Sequence, residues 1–158
     1  MNSSTGDYEA VVRSVCQYAK NFGGAEGRIV FTNGCFDILH PGHLDVLRKC
    51  RELAGPRGTV VVGINSDESV RRLKGPDRPI FSEEVRCEMV ANINGVDFSV
   101  TFDEDTPRDL LEALQPDIIV KGGDYQAADV VGADLALVII VPTRHGFSTT
   151  DALRRVGG

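Results

Sequence analysis

Two of the three histidines in this chain of 158 residues fall within four positions, in the stretch His40-Pro41-Gly42-His43. From the composition alone an H-x-G-H pattern is expected by chance only about 0.006 times, so it merits a chemical reading. Gly42 lets backbone approach a ligand with no Cβ in the way. Pro41 suits the first turn of a helix. Both imidazoles therefore fall near a helix N-terminus, whose unpaired N–H groups and dipole favour an anion, a phosphate above all. The plain alternative is a pair of satisfied surface or capping histidines. A zinc site lacks a third ligand nearby, and none of the four cysteines (Cys16, Cys35, Cys50 and Cys87) is placed to supply one.

Three further groups could act with the pair. In Val120-Lys121-Gly122-Gly123-Asp124-Tyr125, Lys121 supplies a cation, the glycines a tight turn with exposed N–H groups, and Asp124 an acceptor for a hydroxyl or a metal. The plain reading is a lysine-flanked turn. Ser148, Thr149 and Thr150 bring hydroxyls and N–H groups to a helix start, with Arg154 one turn on; taken alone, this is ordinary capping. Lys74 sits in a glycine-flanked polar loop able to close over a polyphosphate, or simply solvated. Arg86 lies on a helix that either faces the cleft or carries an exposed ion pair.

The elements that must position these groups can be read from periodicity. Val11, Val12, Val15 and Ala19 predict an amphipathic helix over roughly 8–21. A strand at Arg28–Asn33 leads into a helix from about Pro41 to Leu53. "TVVVGIN" is a continuous apolar run of the kind found in buried parallel strands. A short helix around "SDESVRRL" follows. Ser82, ahead of Glu83 and Glu84, caps another running to about Ile93. "DFSVTF", "DIIVK" and "LALVIIV" are strand candidates, "PRDLLEAL" a helix, and Ser148 with Asp151 has capping-box spacing for the last helix. Five strands alternating with helices predict a Rossmann-like three-layer α/β/α sandwich on a five-stranded parallel sheet. In such sheets ligands bind beyond the carboxyl ends of the strands, at the switch point beside the first strand. Thr32–His43, Asn65–Asp67, Lys121–Tyr125 and Thr143–Thr150 are therefore the segments that matter.

The totals bound the partners. A net charge of −6 and a pI near 5.0 argue against nucleic acid or an anionic membrane as partner, since both reward a basic surface. The polar, acidic start is unlike a signal peptide, no apolar run reaches membrane-spanning length, and the widely spaced cysteines read as reduced. A cytoplasmic location is the expectation. The chain reads as one domain over 1–158, with residues 1–27 an N-terminal helix and linker and 28–156 a catalytic core.

The H-x-G-H placement resembles the signature of the nucleotidylyltransferase superfamily. "FTNGCFDILHPGH", "INSDESVRRLKG", "RP" followed by "RCEMV", "FDEDTP", "PDIIVKGGDY" and "GFSTT" together are similar to the adenylyltransferase family of ADP-heptose biosynthesis. The resemblance covers residues 28–156. It implies transfer of AMP from ATP to a heptose 1-phosphate with release of pyrophosphate and with Mg²⁺, the metal held mainly by the ATP phosphates. In-line attack builds negative charge on the equatorial phosphate oxygens, which positioned N–H donors meet without a covalent intermediate.

On that resemblance His40, His43 and Lys121 are the catalytic residues. Nucleotide binding falls to Thr32, Asn33, Gly34, Cys35, Phe36, Gly42, Lys74, Gly122, Asp124, Ser148, Thr149 and Thr150, and acceptor binding to Asp37, Asn65, Asp67 and Arg86. A homodimer and a separate sugar kinase supplying the substrate are further implications. The segment "QAADVVGADLA" is shorter than in comparable relatives and could shape the sugar or base pocket, and His145 could add a contact. Two alternatives stay open: a cytidylyltransferase acting on an alcohol phosphate such as glycerol 3-phosphate, and a non-catalytic nucleotide-binding regulatory module.

Overall fold

The computed structural model describes residues 4–157; the outer limits of the expected domain, residues 1–3 and 158, lie outside the described residues. Helix α1 (Ser4–Gly23) leads through a short 3₁₀ turn to β1 (Ile29–Gly34) and α2 (Pro41–Ala54). Then come β2 (Thr59–Asn65), α3 (Asp67–Lys74), α4 (Glu83–Ala91), β3 (Phe98–Phe102), α5 (Arg108–Leu114), β4 (Ile118–Gly122), β5 (Leu137–Val141) and α6 (Thr149–Gly157). All neighbouring strands pair parallel in the order β3-β2-β1-β4-β5. The chain winds outward from β1 in both directions, so the switch point lies between β1 and β4.

Successive side chains of a strand point to opposite faces, and the apolar runs feed two cores. Phe31, Val61, Val100, Phe102 and Ile119 pack against Val12 and Val15 of α1 and Leu110, Leu111 and Leu114 of α5. Val30, Val60, Val62, Ile64 and Val120 pack against Val46, Leu47 and Cys50 of α2 and Val90 of α4. All seven residues of β2 are buried, as its unbroken apolar run requires in the middle of a sheet covered on both sides. Truncating fully buried Leu111 to Ala would cost about 2–5 kcal/mol. Cys50 sits so deep that burial pushes its thiol up to about 12.

Carboxylates close the amino ends of the central strands, where ladder hydrogen bonds run out. Asp117 Oδ2 accepts the Ile29 N–H at 2.7 Å and Asp97 Oδ2 the Val60 N–H at 2.8 Å. The opposite, carboxyl edge is left to the site. The β4–β5 crossover contains no α-helix. It makes a 3₁₀ turn over Ala127–Asp129 and then passes over the α5 side through Gly132. A Cβ on Gly132 would lie 2.7 Å from both Ile119 and Leu111, and its φ of +93° also favours glycine, so the segment is pressed onto the core.

Candidate active site

Past Gly34 the chain must turn sharply from β1 into α2. Phe36 makes the turn with a φ of 49°, unusual for a residue with a Cβ. Its buried ring lies 4.9 Å, centroid to centroid, from that of His43, and a Cβ on Gly34 would sit 3.2 Å from the same ring.

The histidines cap the helix they precede. His40 is the N-cap residue, with Pro41 in the first turn. Its Nδ1 accepts the Gly42 N–H at 3.1 Å, and Nδ1 of His43 accepts the His40 N–H at 3.3 Å. The two rings stack with centroids 3.8 Å apart. Gly42 is needed for this: a Cβ there would lie 2.9 Å from Cε1 of His40, inside the ring that makes the cap. Burial, reinforced by the neighbouring His40, pulls the pKa of His43 down to about 4. Burial also lowers that of His40, against the opposing pull of Asp151. Both rings are therefore neutral near pH 7. With each Nδ1 accepting a backbone proton, the network assigns the ring proton of each to Nε2. The pair thus offers two Nε2–H donors, and no hydrogen bond among the described residues engages either.

Lys121, near the end of β4, faces the pair across the switch point. Its ammonium is 3.3 Å from Oδ1 and 3.5 Å from the carbonyl oxygen of Asn33 at the end of β1, and burial lowers its pKa. Gly122 lets α2 come this close, since a Cβ there would lie 2.8 Å from Val46. Gly123 has a φ of +122°, and the ring of Tyr125 folds back to 3.0 Å from where its Cβ would be. A cavity of about 240 Å³ opens over this edge. Among the expected residues Thr32, Asn33, Gly34, Phe36, His40, Gly42, His43, Lys121 and Gly122 line it.

Other expected residues stand elsewhere. Asp37, Asn65, Asp67 and Arg86 were expected at the acceptor, and the structure instead joins them in an internal network. Arg86 is fully buried: Nε donates to the Phe81 carbonyl, Nη1 to the carbonyls of Cys35 and Asn65 (both 2.7 Å), and Nη2 to Asp67 at 2.8 Å. It is thus neither cleft-facing nor an exposed ion-pair partner. Buried Asp37 accepts from Nε of Arg78 and from the N–H groups of Ile80 and Phe81. Burial alone would raise its pKa, but those donors together hold the carboxyl below its usual range. The Asn65 amide donates to Ser69. The network clamps the ends of β1 and β2 to α4, and so fixes the turn that carries the histidines.

Lys74 ends α3 exposed, and neither it nor Cys35 or Asp124 lines the cavity. Burial raises the pKa of Cys35 despite the cations of Lys74, Arg86 and Arg78 nearby. Ser148, Thr149 and Thr150 stand at the start of α6 beside the cavity rather than in its wall. Ser148 Oγ accepts the Asp151 N–H at 3.0 Å and donates to the Asp151 carboxylate, while Thr149 Oγ1 reaches the Ile38 carbonyl at 3.4 Å. The latter contact docks α6 against the loop ahead of α2, so two helix starts flank one cavity. Arg144, inside the Thr143–Thr150 segment but not among the expected site residues, lines the cavity with Thr143 and Phe147, whereas exposed His145 does not. Arg144 donates twice to Asp45, from Nε at 3.0 Å and Nη2 at 2.7 Å. Its signal was position alone, a cation between β5 and the hydroxyl-rich helix start.

The family model described as cytidylyltransferase-like matches residues 31–151. Among curated proteins the chain is similar to the bifunctional protein HldE of Nitrobacter hamburgensis, with 50% identity over 136 residues, 83% of this chain and 27% of that protein. HldE of Syntrophotalea carbinolica is 48% identical over 133 residues, 81% and 26% of the two chains. HldE of Wolinella succinogenes is 44% identical over 146 residues, 92% and 30%. The chain thus spans about a quarter of the length of the curated relatives it matches. Among solved structures, a lipopolysaccharide core biosynthesis protein of Thermoplasma volcanium superposes with a TM-score of 0.59 at 28% identity, over 74% of this chain and 96% of that one. A macrolide-efflux protein of Streptococcus pneumoniae shares the fold, with a TM-score of 0.59 at 24% identity over 87% and 54%.

Proposed function

The chain belongs to the cytidylyltransferase-like family of nucleotidyltransferases, and on that premise we propose that it transfers AMP from ATP to a heptose 1-phosphate, giving ADP-heptose and pyrophosphate. The observation that carries this reading is the reciprocal capping of His40 and His43, which leaves two neutral Nε2–H donors beside the cavity at the switch point. The preference for ATP and a heptose rests on "FTNGCFD" and "VKGGDY" and on 44–50% identity to the HldE proteins. A relative of 28% identity named for lipopolysaccharide core biosynthesis agrees with a sugar-nucleotide product.

In this reading an oxygen of the sugar phosphate attacks the α-phosphorus in line. The bond from that phosphorus to the bridging oxygen breaks, and pyrophosphate leaves with the electron pair; no proton need move. His40 and His43 donate to the oxygens on which charge accumulates, without reorganising at the moment of reaction. Lys121 neutralises the attacking phosphate or the α-phosphate from the other side of β1. The N–H groups of Thr149 and Thr150 at the start of α6 meet the leaving phosphates, with Ser148 holding that helix start; at α2, whose first N–H groups the histidine cap already engages, the helix dipole adds to the two imidazole donors. Arg144 turns from Asp45 to a phosphate when the nucleotide enters.

ATP and a sugar phosphate bring roughly six negative charges together, more than Lys121, Arg144 and the helix termini offset. The described residues hold no cluster of three or more His, Cys, Asp or Glu able to grip a metal. In this account magnesium would enter with the triphosphate and would supply charge neutralisation there. A sugar kinase activity supplies the acceptor, and the chain works as a homodimer in the cytoplasm. No helix among the described residues is long and apolar enough to cross a membrane.

A pyrophosphate-release assay with ATP and CTP against heptose 1-phosphates and alcohol phosphates tests the proposal. Turnover is expected with ATP and a heptose 1-phosphate. Turnover only with CTP and glycerol 3-phosphate would move the chain to the cytidylyltransferase reading, and nucleotide binding without turnover in any pairing to the regulatory module.

A further inference from the structure

The sheet edge carries a second cavity, on the other side of β1 from the histidines. It measures about 220 Å³ and is walled by Thr106 and Asp105 ahead of α5, by Tyr125, and by Asp129, Val130 and Val131 of the β4–β5 crossover. Asn33 and Lys121 line both cavities, so the two meet at the Lys121 ammonium. Either alone is smaller than the ~300–1,000 Å³ usual for a ligand site, and the pair together reaches that range.

We propose that this second cavity holds the body of the acceptor, a polyhydroxylated sugar phosphate whose phosphate lies at Lys121. The inference rests on the nucleotidyl-transfer reading above and gives it a direction. In-line displacement requires the attacking oxygen to approach the α-phosphorus from the side opposite the leaving group. The start of α6, suited to the leaving phosphates, and that of α2 flank the first cavity. The attacker must then come from across Asn33 and Lys121, where the second cavity opens.

The chemistry of its wall fits one class of molecule. Asp105 and Asp129 are acceptors for hydroxyl groups and repel a second anionic end. Oδ1 of Asp105 is held by Nε of Arg72 at 2.9 Å, while Oδ2 has no protein partner among the described residues. The Thr106 hydroxyl can donate or accept, and the exposed Tyr125 ring offers an apolar face with a polar tip. Val130 and Val131 give a floor for C–H surfaces. A neutral, hydroxyl-rich body with a single phosphate at one end meets every one of these groups. The short crossover also acquires a purpose. Gly132 pins it to Leu111 and Ile119, and that contact brings Asp129 and both valines to the cavity.

The test is methyl NMR on the chain labelled at valine and threonine. An ATP analogue with a non-hydrolysable α,β-bridge is added first, and heptose 1-phosphate second. The analogue should move the methyls of Val46 and Val141 in the first cavity, and the heptose phosphate those of Thr106, Val130 and Val131 in the second. If no acceptor moves the second set, the assignment is overturned, whatever the turnover assay gives. If glycerol 3-phosphate moves that set and heptose 1-phosphate does not, the cavity holds an acceptor of another class, and both the sugar assignment and the heptose reading fail. In the enzymatic assay, Thr106→Val and Asp129→Asn should raise KM for the sugar phosphate about tenfold with KM for ATP within about twofold, the loss of one discriminating hydrogen bond. A rise in KM for ATP alone would give the second cavity to the nucleotide, and an equal rise in both constants would mark a general structural effect; either overturns the proposal.

Discussion

Nδ1 of His43 accepts the backbone N–H of His40 at 3.3 Å, so the second histidine of the pair caps the helix that the first one opens. Together with the bond from the Gly42 N–H to Nδ1 of His40, this commits both rings to one tautomer before any ligand arrives. Helix capping, usually the plain explanation for a polar residue at this position, here fixes which nitrogen carries the proton that a phosphate would meet.

The protonation of the pair should follow its burial. His43 is held near 4, below the 6.5 of an exposed imidazole, so the unfolded chain takes up its proton first as pH falls. The folded state has its full stability above pH 6.5, loses stability as pH drops from there to about 4, and loses no more on this account below that. An imidazole NMR titration of the free chain should give a His43 midpoint near 4, rising when a triphosphate binds. A midpoint at 6.5 in the free chain would show a ring that is neither buried nor coupled to His40.

Gly42→Ala should harm catalysis more than folding. The added methyl presses on the ring of His40, not on backbone, so the helix can keep its start at a cost of about 0.5–2 kcal/mol for a weakened cap. The displaced donor should lower kcat by on the order of 10²-fold. Thermal unfolding and steady-state kinetics on the same preparation check both halves.

Lys121→Met removes a largely desolvated ammonium whose protein contacts are two long ones to Asn33. Its loss should leave the thermal midpoint unchanged or slightly higher, because a buried charge costs desolvation energy that a thioether does not. The transfer rate should fall about 10²–10³-fold. A marked fall in the midpoint would mean that Lys121 is chiefly structural.

Arg86→Met should do the reverse. It leaves the carbonyls of Phe81, Cys35 and Asn65 and the carboxylate of Asp67 without their donor, at a cost of about 3–5 kcal/mol. Urea unfolding should register that loss. At a temperature where the variant is folded, KM for the sugar phosphate should stay within about threefold of wild type; a large rise in KM with unchanged stability would restore Arg86 to the acceptor site.

The five strands and six α-helices of the described residues were legible because apolar periodicity and capping residues are local: Ser66 and Ser82 accept from the N–H groups of Ser69 and Val85, as N-caps do. The His-Pro-Gly-His turn and Lys121 were legible because a parallel sheet sends whatever follows β1 and β4 to one edge. The burial of Asp37 and Arg86 was not. Their partners lie 41 to 51 residues away in sequence for the contacts to Arg78 and Cys35, and a charged residue in a loop or helix carries no local sign of being paired inside. Nor was the second cavity, whose wall depends on how a segment without helical periodicity is pinned at Gly132. The sequence marked Lys74 and Ser148–Thr150 by composition, and the fold sets them beside the first cavity or away from it.

The central claim is that the histidines act on the transition state through preset Nε2–H donors. The most direct measurement compares His43→Ala with wild type in single turnover, reading AMP transfer from ATP to heptose 1-phosphate alongside the dissociation constant for ATP. The expected result is a fall of about 10²–10³-fold in the transfer rate with ATP affinity within about threefold. A rate within a few-fold of wild type, with ATP affinity alone reduced, would mean that His43 only anchors the bound nucleotide, and would contradict the account.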